Sequence, residues 1–251
     1  MILTGGNMGI PHIIHYIWFG RNPKPEIVKR CIESWKKYLP EYQIIEWNED
    51  NYDLTKCTYL KQAYDNKKWA FASDFARFDI LNQYGGIYLD TDVELLRPLP
   101  ENLLSKGKAF CGMESTGAIA PGLIFACEAG FPLLQEIIDD YKNDLFIIDN
   151  HENNRTVNVR IMDILKPKGF LPNNRFQNVA GMDIYPSTIF CGYDLDVHDY
   201  DVKPETIAVH HYSSSWQKKG FKFKAQRYIY RLIGRKNYKK LLFCIRRVRG
   251  Y

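Results

Sequence analysis

Two hydrophobic periodicities alternate along the first hundred residues. The run IPHIIHYIWFG (10–20) is apolar, rich in β-branched residues and closed by glycine, the pattern of a buried strand. Residues 25–39 then set Ile27, Cys31, Trp35 and Leu39 at steps of four, with Lys29, Arg30, Lys36 and Lys37 between them, which predicts an amphipathic helix. YQIIEW (42–47) supplies a second strand, so the chain opens β-α-β with a helix-length crossover, the mark of a parallel sheet. A second helix is predicted over 69–84, stopped by Gly85-Gly86, with the strand IYLDTDVEL directly after it. Further strands are expected at 108–113, 122–127, 184–190 and 206–212, and further helices at 131–142 and 156–166. The stretches 143–155 and 193–205 read as surface loops. The sum is an α/β domain built on a mixed sheet.

Charge divides the chain where hydropathy does not. The 251 residues carry a formal net charge of +5, yet all 29 acidic residues precede position 217. Of the 34 basic residues, 13 lie in the last 35 positions, so a body of −8 is joined to a tail of +13. This predicts a catalytic domain over 1–216 and a basic tail over 217–251. The tail's apolar residues, Phe221, Ala225, Tyr228, Ile229, Leu232 and Ile233, then Tyr238, Leu241, Leu242, Ile245 and Val248, follow helical spacing. Two readings fit such a tail: an interfacial helix on an anionic leaflet, or a basic cap packed on the acidic body. An acidic body argues against a nucleic-acid partner. Six scattered cysteines without a C-x-x-C pair suggest free thiols in a reducing compartment. No signal peptide or apolar run of membrane-spanning length is visible.

Three constellations carry candidate chemistry. Asp90-Thr91-Asp92 ends a hydrophobic strand, where alternation aims both carboxylates to one side, and hard oxygen donors there suit Mn²⁺ or Mg²⁺ with a diphosphate. Two other D-x-D pairs, Asp194/Asp196 and Asp199/Asp201, fall in a polar stretch and read as solvated turn acids. Asp74 and Arg77 sit on a helix apolar around most of its circumference, so their charges need partners: each other, or a ligand's sugar and phosphate. In AVHHYSSSW (208–216), adjacent histidines on a strand face opposite ways, so at most one of His210 and His211 reaches a shared metal. Trp18 is either core or a stacking platform for a base. GGNMG (5–9) lacks the strand and the Lys-Ser/Thr of a phosphate loop, and no G-x-S-x-G elbow or zinc spacing is present.

Taken in order, IPHIIHYIWFG, ASDFARFDILNQYGGIYLDTDVELLRPL and HHYSSSW resemble glycosyltransferase family 32, the transferases with a DXD-containing sugar-binding region. The resemblance frames residues 10–216 and is tightest over 69–99. It implies a GT-A-like, Rossmann-type nucleotide-sugar-binding domain, a nucleotide-sugar donor, a divalent metal and retention of anomeric configuration. By the same resemblance Trp18 stacks on the donor base, and Asp74 and Arg77 hold the donor sugar and its phosphate side. Asp90 contacts ribose and assists the metal, and Asp92 ligates it. His210 is the implied metal ligand, with His211 the second choice, and Ser215 and Trp216 lie near the diphosphate. Around 156–166 the chain has TVNVRIMDILKP in place of a Thr-Gly-Pro-like acceptor segment, so Thr156 and Asn158 receive no role. IAPGLIFACEAGFP (119–132) resembles the segment beside the sugar pocket.

The expectation is a retaining transferase moving a hexose, from a UDP-sugar above all, to a glycan hydroxyl in bacterial surface or capsular polysaccharide synthesis. It would lie at the inner, cytoplasmic face of the plasma membrane, with a lipid-linked acceptor. One alternative is a toxin-like protein glycosyltransferase, disfavoured by the short chain and membrane-type tail. Another is a non-catalytic nucleotide-sugar-binding module, disfavoured by the intact Asp74, Arg77, Asp90 and Asp92 set.

Overall fold

The computed structural model describes residues 9–105, 109–213 and 221–248. Its first half runs β1 (Ile13–Ile17), α1 (Glu26–Tyr38), β2 (Gln43–Trp47), α2 (Thr58–Asp65), α3 (Trp69–Tyr84), β3 (Gly86–Tyr88), β4 (Val93–Leu95), β5 (Phe110–Gly112) and β6 (Phe125–Cys127). The chain continues through α4 (Pro132–Lys142), β7 (Ile147–Ile148), β8 (His151–Glu152), α5 (Val157–Leu165), β9 (Gln177–Val179), β10 (Met182–Tyr185) and α6 (Ser187–Phe190). It closes with β11 (Tyr193–Asp194), β12 (Asp199–Tyr200), β13 (Ala208–His210) and α7 (Phe221–Val248).

Seven strands form the central sheet in the order β2-β1-β3-β6-β5-β10-β9. β1 pairs parallel with β2 and β3, β6 runs antiparallel to β3 and β5, and β10 is parallel to β5. It follows that β1, β3, β5 and β10 all point the same way and share one carboxyl edge. This mixed sheet is the α/β architecture expected from the sequence. Both faces are covered, which explains the unbroken apolar runs. On one face Ile17, Tyr88, Cys111 and Phe125 join Phe75, Phe78, Leu134 and Ile161 from the helices α3, α4 and α5. On the other, Ile14, Tyr16, Ile87, Phe110 and Ala126 join Cys31 and Trp35 of α1 and Val93 and Leu95 of β4. The six cysteines are free thiols, five of them buried.

Several expectations need correction. The strand predicted from IYLDTDVEL is two strands. β3 stays in the large sheet, while β4 leaves it to pair antiparallel with β13. Between them the Val93 N–H donates to the Asp90 carbonyl at 3.0 Å, closing a turn over Asp90-Thr91-Asp92. The two carboxylates therefore do not share a face through strand alternation. The strand predicted over 184–190 ends at Tyr185, because Pro186 cannot donate to the ladder and opens α6 instead. The presumed loops carry the short hairpins β7–β8 and β11–β12, and α2 was not anticipated.

The tail helix α7 bends at Gly234, where φ is +74°. Both arms touch the body, the first through Tyr230 and the second through Arg235, Tyr238 and Lys239. Tyr238 is buried, the Tyr230 hydroxyl donates to Asp199 at 2.7 Å, Lys239 pairs with Asp194 at 2.5 Å, and Arg235 pairs with Asp201. Tyr228, Ile229 and Leu232 are exposed. Among the described residues no helix is long and apolar enough to cross a membrane.

Candidate active site at the carboxyl edge of the sheet

The site is built from α3 and the edge where β1, β3 and β5 end. The hinge between α3 and β3 is Gly85-Gly86, with φ of +63° and +94°. A side chain on Gly85 would stand 2.6 Å from the Ala129 backbone nitrogen, and one on Gly86 2.7 Å from the Ile13 carbonyl. Only glycine lets the helix turn straight into the sheet here. His15, fully buried beneath this turn, shares one hydrogen bond with the Gly85 carbonyl through Nε2, at 2.9 Å. Its Nδ1 accepts from Trp47 Nε1 at 3.1 Å, which fixes the neutral tautomer with the proton on Nε2. Burial lowers the His15 pKa to about 4, against a smaller upward pull from the Gly85 bond.

Asp74 and Arg77, one turn apart on α3, are both buried. Arg77 Nη2 pairs with Asp74 at 2.9 Å and reaches Asp90 Oδ1 at 3.2 Å, and its guanidinium lies 4.8 Å from the Tyr88 ring centroid. The charges thus satisfy each other, the first of the two readings of this pair, and Arg77 reaches a third protein group as well. Arg77 Nε is buried without a partner among the described residues. Burial pushes the Asp74 carboxyl up to about 7, against the pull of Arg77, and the charge on Asp90 adds to the rise.

Asp90 is fixed from three sides. Its Oδ1 accepts from Arg77 and from the Tyr88 hydroxyl at 2.9 Å, and its backbone N–H donates to the Gly122 carbonyl at 2.8 Å. The carboxylate occupies the space a side chain at 122 would fill, since a Cβ on Gly122 would lie 1.9 Å from Asp90 Oδ2. Asp92 turns the other way. Its Oδ1 stands 3.0 Å from His210 Nε2, while Oδ2 accepts from both the N–H and the hydroxyl of Ser213, each at 2.9 Å. Burial pushes the Asp92 carboxyl up, but the charge and hydrogen bond of His210 and the two bonds from Ser213 outweigh it and hold the group well below the usual range. Burial depresses His210 in turn, and Asp92, Asp90 and Glu114 together raise it above its ordinary value.

His211 faces a different cluster. Its Nε2 lies 2.7 Å from Glu94 and its Nδ1 2.6 Å from the Tyr200 hydroxyl, with Arg30 beside it at 3.2 Å. Of the two side chains only that of His210 meets the Asp92 carboxylate, while the His211 backbone N–H donates to the Asp92 carbonyl at 3.0 Å. Trp18 follows β1 at the same carboxyl edge as Asp90, half-buried, with its indole N–H donated to the Asn22 carbonyl at 2.7 Å. Ser215 and Trp216 lie outside the described residues.

Asp92 Oδ1 and His210 Nε2 supply two convergent donors, hard oxygen and imidazole, of the kind Mn²⁺ accepts. Among the described residues no group of three or more His, Cys, Asp or Glu side chains could hold a metal alone. The pair therefore fits an ion whose remaining ligands arrive with a diphosphate, and does not fit a closed structural site.

Sequence reasoning missed four contributors. Ser213 orients Asp92, Tyr88 holds Asp90, Gly122 makes room for it, and Glu114 stands beside them. Glu114, two residues beyond β5, accepts from the Tyr212 hydroxyl at 3.3 Å and from Asn158 Nδ2 at 3.2 Å. Burial raises its carboxyl above the ordinary range in spite of the charge on His210 and these hydrogen bonds. The Tyr212 ring lies edge-on to His210 with centroids 4.0 Å apart, and Tyr212 itself has φ of +44°, an uncommon backbone for an aromatic residue. Thr156 is the N-cap of α5, accepting from the Val159 N–H. Of the four, only Tyr88 left a trace in the sequence, its i,i+2 spacing from Asp90.

Residues 25–110 match the family described as a glycosyltransferase sugar-binding region containing a DXD motif. Among characterised proteins, the chain is 31% identical over 108 residues to inositol phosphoceramide mannosyltransferase 1 of Schizosaccharomyces pombe, covering 39% of this chain and 32% of that protein. It is 32% identical over 106 residues to inositol phosphoceramide mannosyltransferase 3 of the same yeast, covering 39% and 28%. The chain thus spans less than a third of the length of these relatives. Among solved structures it is similar to the PaToxG glycosyltransferase, at 17% identity and a TM-score of 0.47 over 64% of this chain and 72% of that one. It is also similar to a glycosyltransferase involved in glycosylation of the major capsid of PBCV-1, at 12% identity and a TM-score of 0.46 over 87% and 100%.

Proposed function

From the match of residues 25–110 to a DXD-containing glycosyltransferase sugar-binding region, we propose a metal-dependent enzyme that transfers a hexosyl group from a nucleotide-sugar to a hydroxyl. The observation that carries this reading is the meeting, at one sheet edge, of Asp90 with Arg77 and of Asp92 with His210. The donor is a UDP-sugar and the transfer retains anomeric configuration. Asp92 and His210, with Asp90 beside them, would hold Mn²⁺ or Mg²⁺. When bound, the ion supplies Lewis-acid stabilisation of the diphosphate oxygens where charge develops.

The chain's own residues do the rest. Arg77 is a fixed cation on the phosphate side, held in place by Asp74 and Asp90 before any ligand arrives. Asp74 accepts hydrogen bonds from donor-sugar hydroxyls, and Asp90 from ribose. Trp18 offers its ring to the base, and Ser215 and Trp216 are assigned the diphosphate side. Ser213 keeps Asp92 in one rotamer, so binding does not have to organise it. Asp74 and Asp90 are both engaged by Arg77 rather than held as free nucleophiles, which favours same-face departure and attack over double displacement.

We infer an acceptor at a membrane surface. The relatives are named for a lipid acceptor, and α7 turns Tyr228, Ile229 and Leu232 outward from a tail of 13 basic and no acidic residues. This fits peripheral association with the anionic inner face of a bacterial plasma membrane and a lipid-linked glycan of surface polysaccharide assembly. The test is hydrolysis of a panel of UDP-, GDP- and CMP-sugars, GDP-mannose included, with Mn²⁺ or with EDTA, by the wild type and Asp92→Ala. Turnover of one donor, abolished by EDTA and by Asp92→Ala, is expected. Metal-independent turnover or an undiminished Asp92→Ala rate overturns the site assignment.

A further inference from the structure

Glu114 has no part in the reading given above, yet it occupies a site position. β5 runs in the same direction as β3, and Glu114 stands two residues past the end of β5 as Asp90 stands two residues past the end of β3. In open α/β sheets this edge is where ligands are bound. One loop, 113–122, carries both Glu114 and Gly122, the glycine against which Asp90 rests. Glu114 is joined to the His210 side of the site through Tyr212, whereas Asp74 and Arg77 are joined to the Asp90 side.

A purely structural account of Glu114 is incomplete. Tyr212 and Asn158 both donate to one oxygen, Oε1, and a glutamine would accept both bonds without a charge. The chain instead keeps a half-buried carboxylate here, where burial makes a charge costly. The Thr116 side chain hydrogen-bonds the carboxylate as well, and a carboxylate's four lone-pair sites still leave acceptor capacity for a ligand. Asn158 and Tyr212 add polar groups that flank it, and the Tyr193 and Tyr212 rings, 5.0 Å apart, add apolar faces. A carboxylate, an amide and a phenol beside aromatic rings suit a ring that displays hydroxyls on its edge and C–H groups on its face.

We propose that Glu114, with Asn158 and Tyr212, forms the subsite that binds the acceptor sugar, Glu114 accepting a hydrogen bond from one of its hydroxyls. The assignment of this sugar as acceptor rests on the transferase reading. In the transfer, the donor's anomeric carbon–phosphate oxygen bond breaks and a bond to the acceptor oxygen forms. The hydroxyl proton leaves with the departing diphosphate, so Glu114 holds the acceptor without consuming a proton.

The experiment is saturation-transfer NMR and titration of the full chain with methyl α-mannopyranoside, methyl α-glucopyranoside and methyl β-galactopyranoside, with UDP and Mn²⁺ present. At least one glycoside is expected to bind. Glu114→Gln, which preserves both hydrogen bonds to Oε1, is expected to weaken it about ten- to a hundredfold, the effect of losing a hydrogen bond to a charged group. Asn158→Ala weakens it too, and Glu136→Gln on the distant helix α4 does not. Binding undiminished in Glu114→Gln, or no binding of any glycoside by the wild type, overturns the subsite. Donor hydrolysis, measured separately, reports on the transferase reading: a glycoside that binds through Glu114 to a protein that turns over no donor leaves the subsite standing as a sugar-binding site and removes its assignment to an acceptor.

Discussion

Gly122→Ala tests the site through a residue that makes no side-chain contact of its own. The added methyl would lie 1.9 Å from Asp90 Oδ2 and 2.7 Å from its Cγ, so the carboxylate has to swing away. In doing so it gives up the bonds from Arg77 and Tyr88, each worth about 1.5–3 kcal/mol as hydrogen bonds to a charged group. The Asp90 side chain is 30% exposed and recovers part of that in water. A net loss of about 2–3 kcal/mol results, a fall in Tm of roughly 5–10 °C for a chain of this size. The functional cost is larger, since misplacing a binding group by ~1 Å costs about 10²-fold in rate. Thermal melts and donor hydrolysis measure the two quantities. The decisive comparison is in an Asp90→Ala background, where the methyl meets no carboxylate and its further cost is expected to fall below about 0.5 kcal/mol. An equal penalty in both backgrounds, or a Gly122→Ala enzyme within threefold of wild type, would refute the steric link.

Two further perturbations probe the frame beneath the site. His15 is neutral in the fold, with a pKa of about 4 against 6.5 in the unfolded chain, so below pH 6.5 the unfolded state takes up the extra proton. Its contribution is complete above pH 6.5 and is lost as the pH falls through 4, up to about 3 kcal/mol; urea midpoints of wild type and His15→Phe between pH 4 and 7.5 are expected to converge at the acid end, and parallel curves would contradict this. Arg160, fully buried on α5, bridges Asp140 and Asp144 and lies 4.0 Å from the Tyr141 ring centroid, so Arg160→Met leaves Asp144 without a cation and Asp140 with Arg155 alone. A loss of about 3–5 kcal/mol in guanidinium unfolding is expected, and Arg160→Lys does not restore it, because an ammonium cannot fork to two carboxylates while stacking on tyrosine.

Where periodicity and packing agreed, the fold was readable. The helix expected over 69–84 is α3 without revision, because its apolar circumference and the Gly85-Gly86 stop are local signals. Asp74 and Arg77 followed from the same logic, since a charge on a buried helix has to find a partner. The DXD turn was not readable, because whether Val93 continues β3 or leaves to pair with β13 is decided by a strand more than a hundred residues away. The facing of His210 and His211 had the same origin: alternation said that one of them faces the site, the resemblance favoured His210, and the pairing of His210 with Val93 is what turns its ring to Asp92. Gly122 and Ser213 left no mark, as their roles are an empty volume and a backbone N–H. The tail's charge was legible, but its docking was not, because Asp194, Asp199 and Asp201 read as solvated turn acids until Tyr230, Arg235 and Lys239 were seen against them.

The wide separation of the two halves of the site has a consequence for synthesis. Ser213 lies 121 positions beyond the Asp92 carboxylate it clasps. On a chain emerging at about 5–20 residues per second, that interval is on the order of ten seconds. During it Asp74, Arg77 and Asp90 already exist, but Asp92 has neither its histidine nor its serine. A chain broken off before β13 therefore carries half of the constellation and none of the imidazole side, so the cluster is complete only once β13, the last strand among the described residues, has been made.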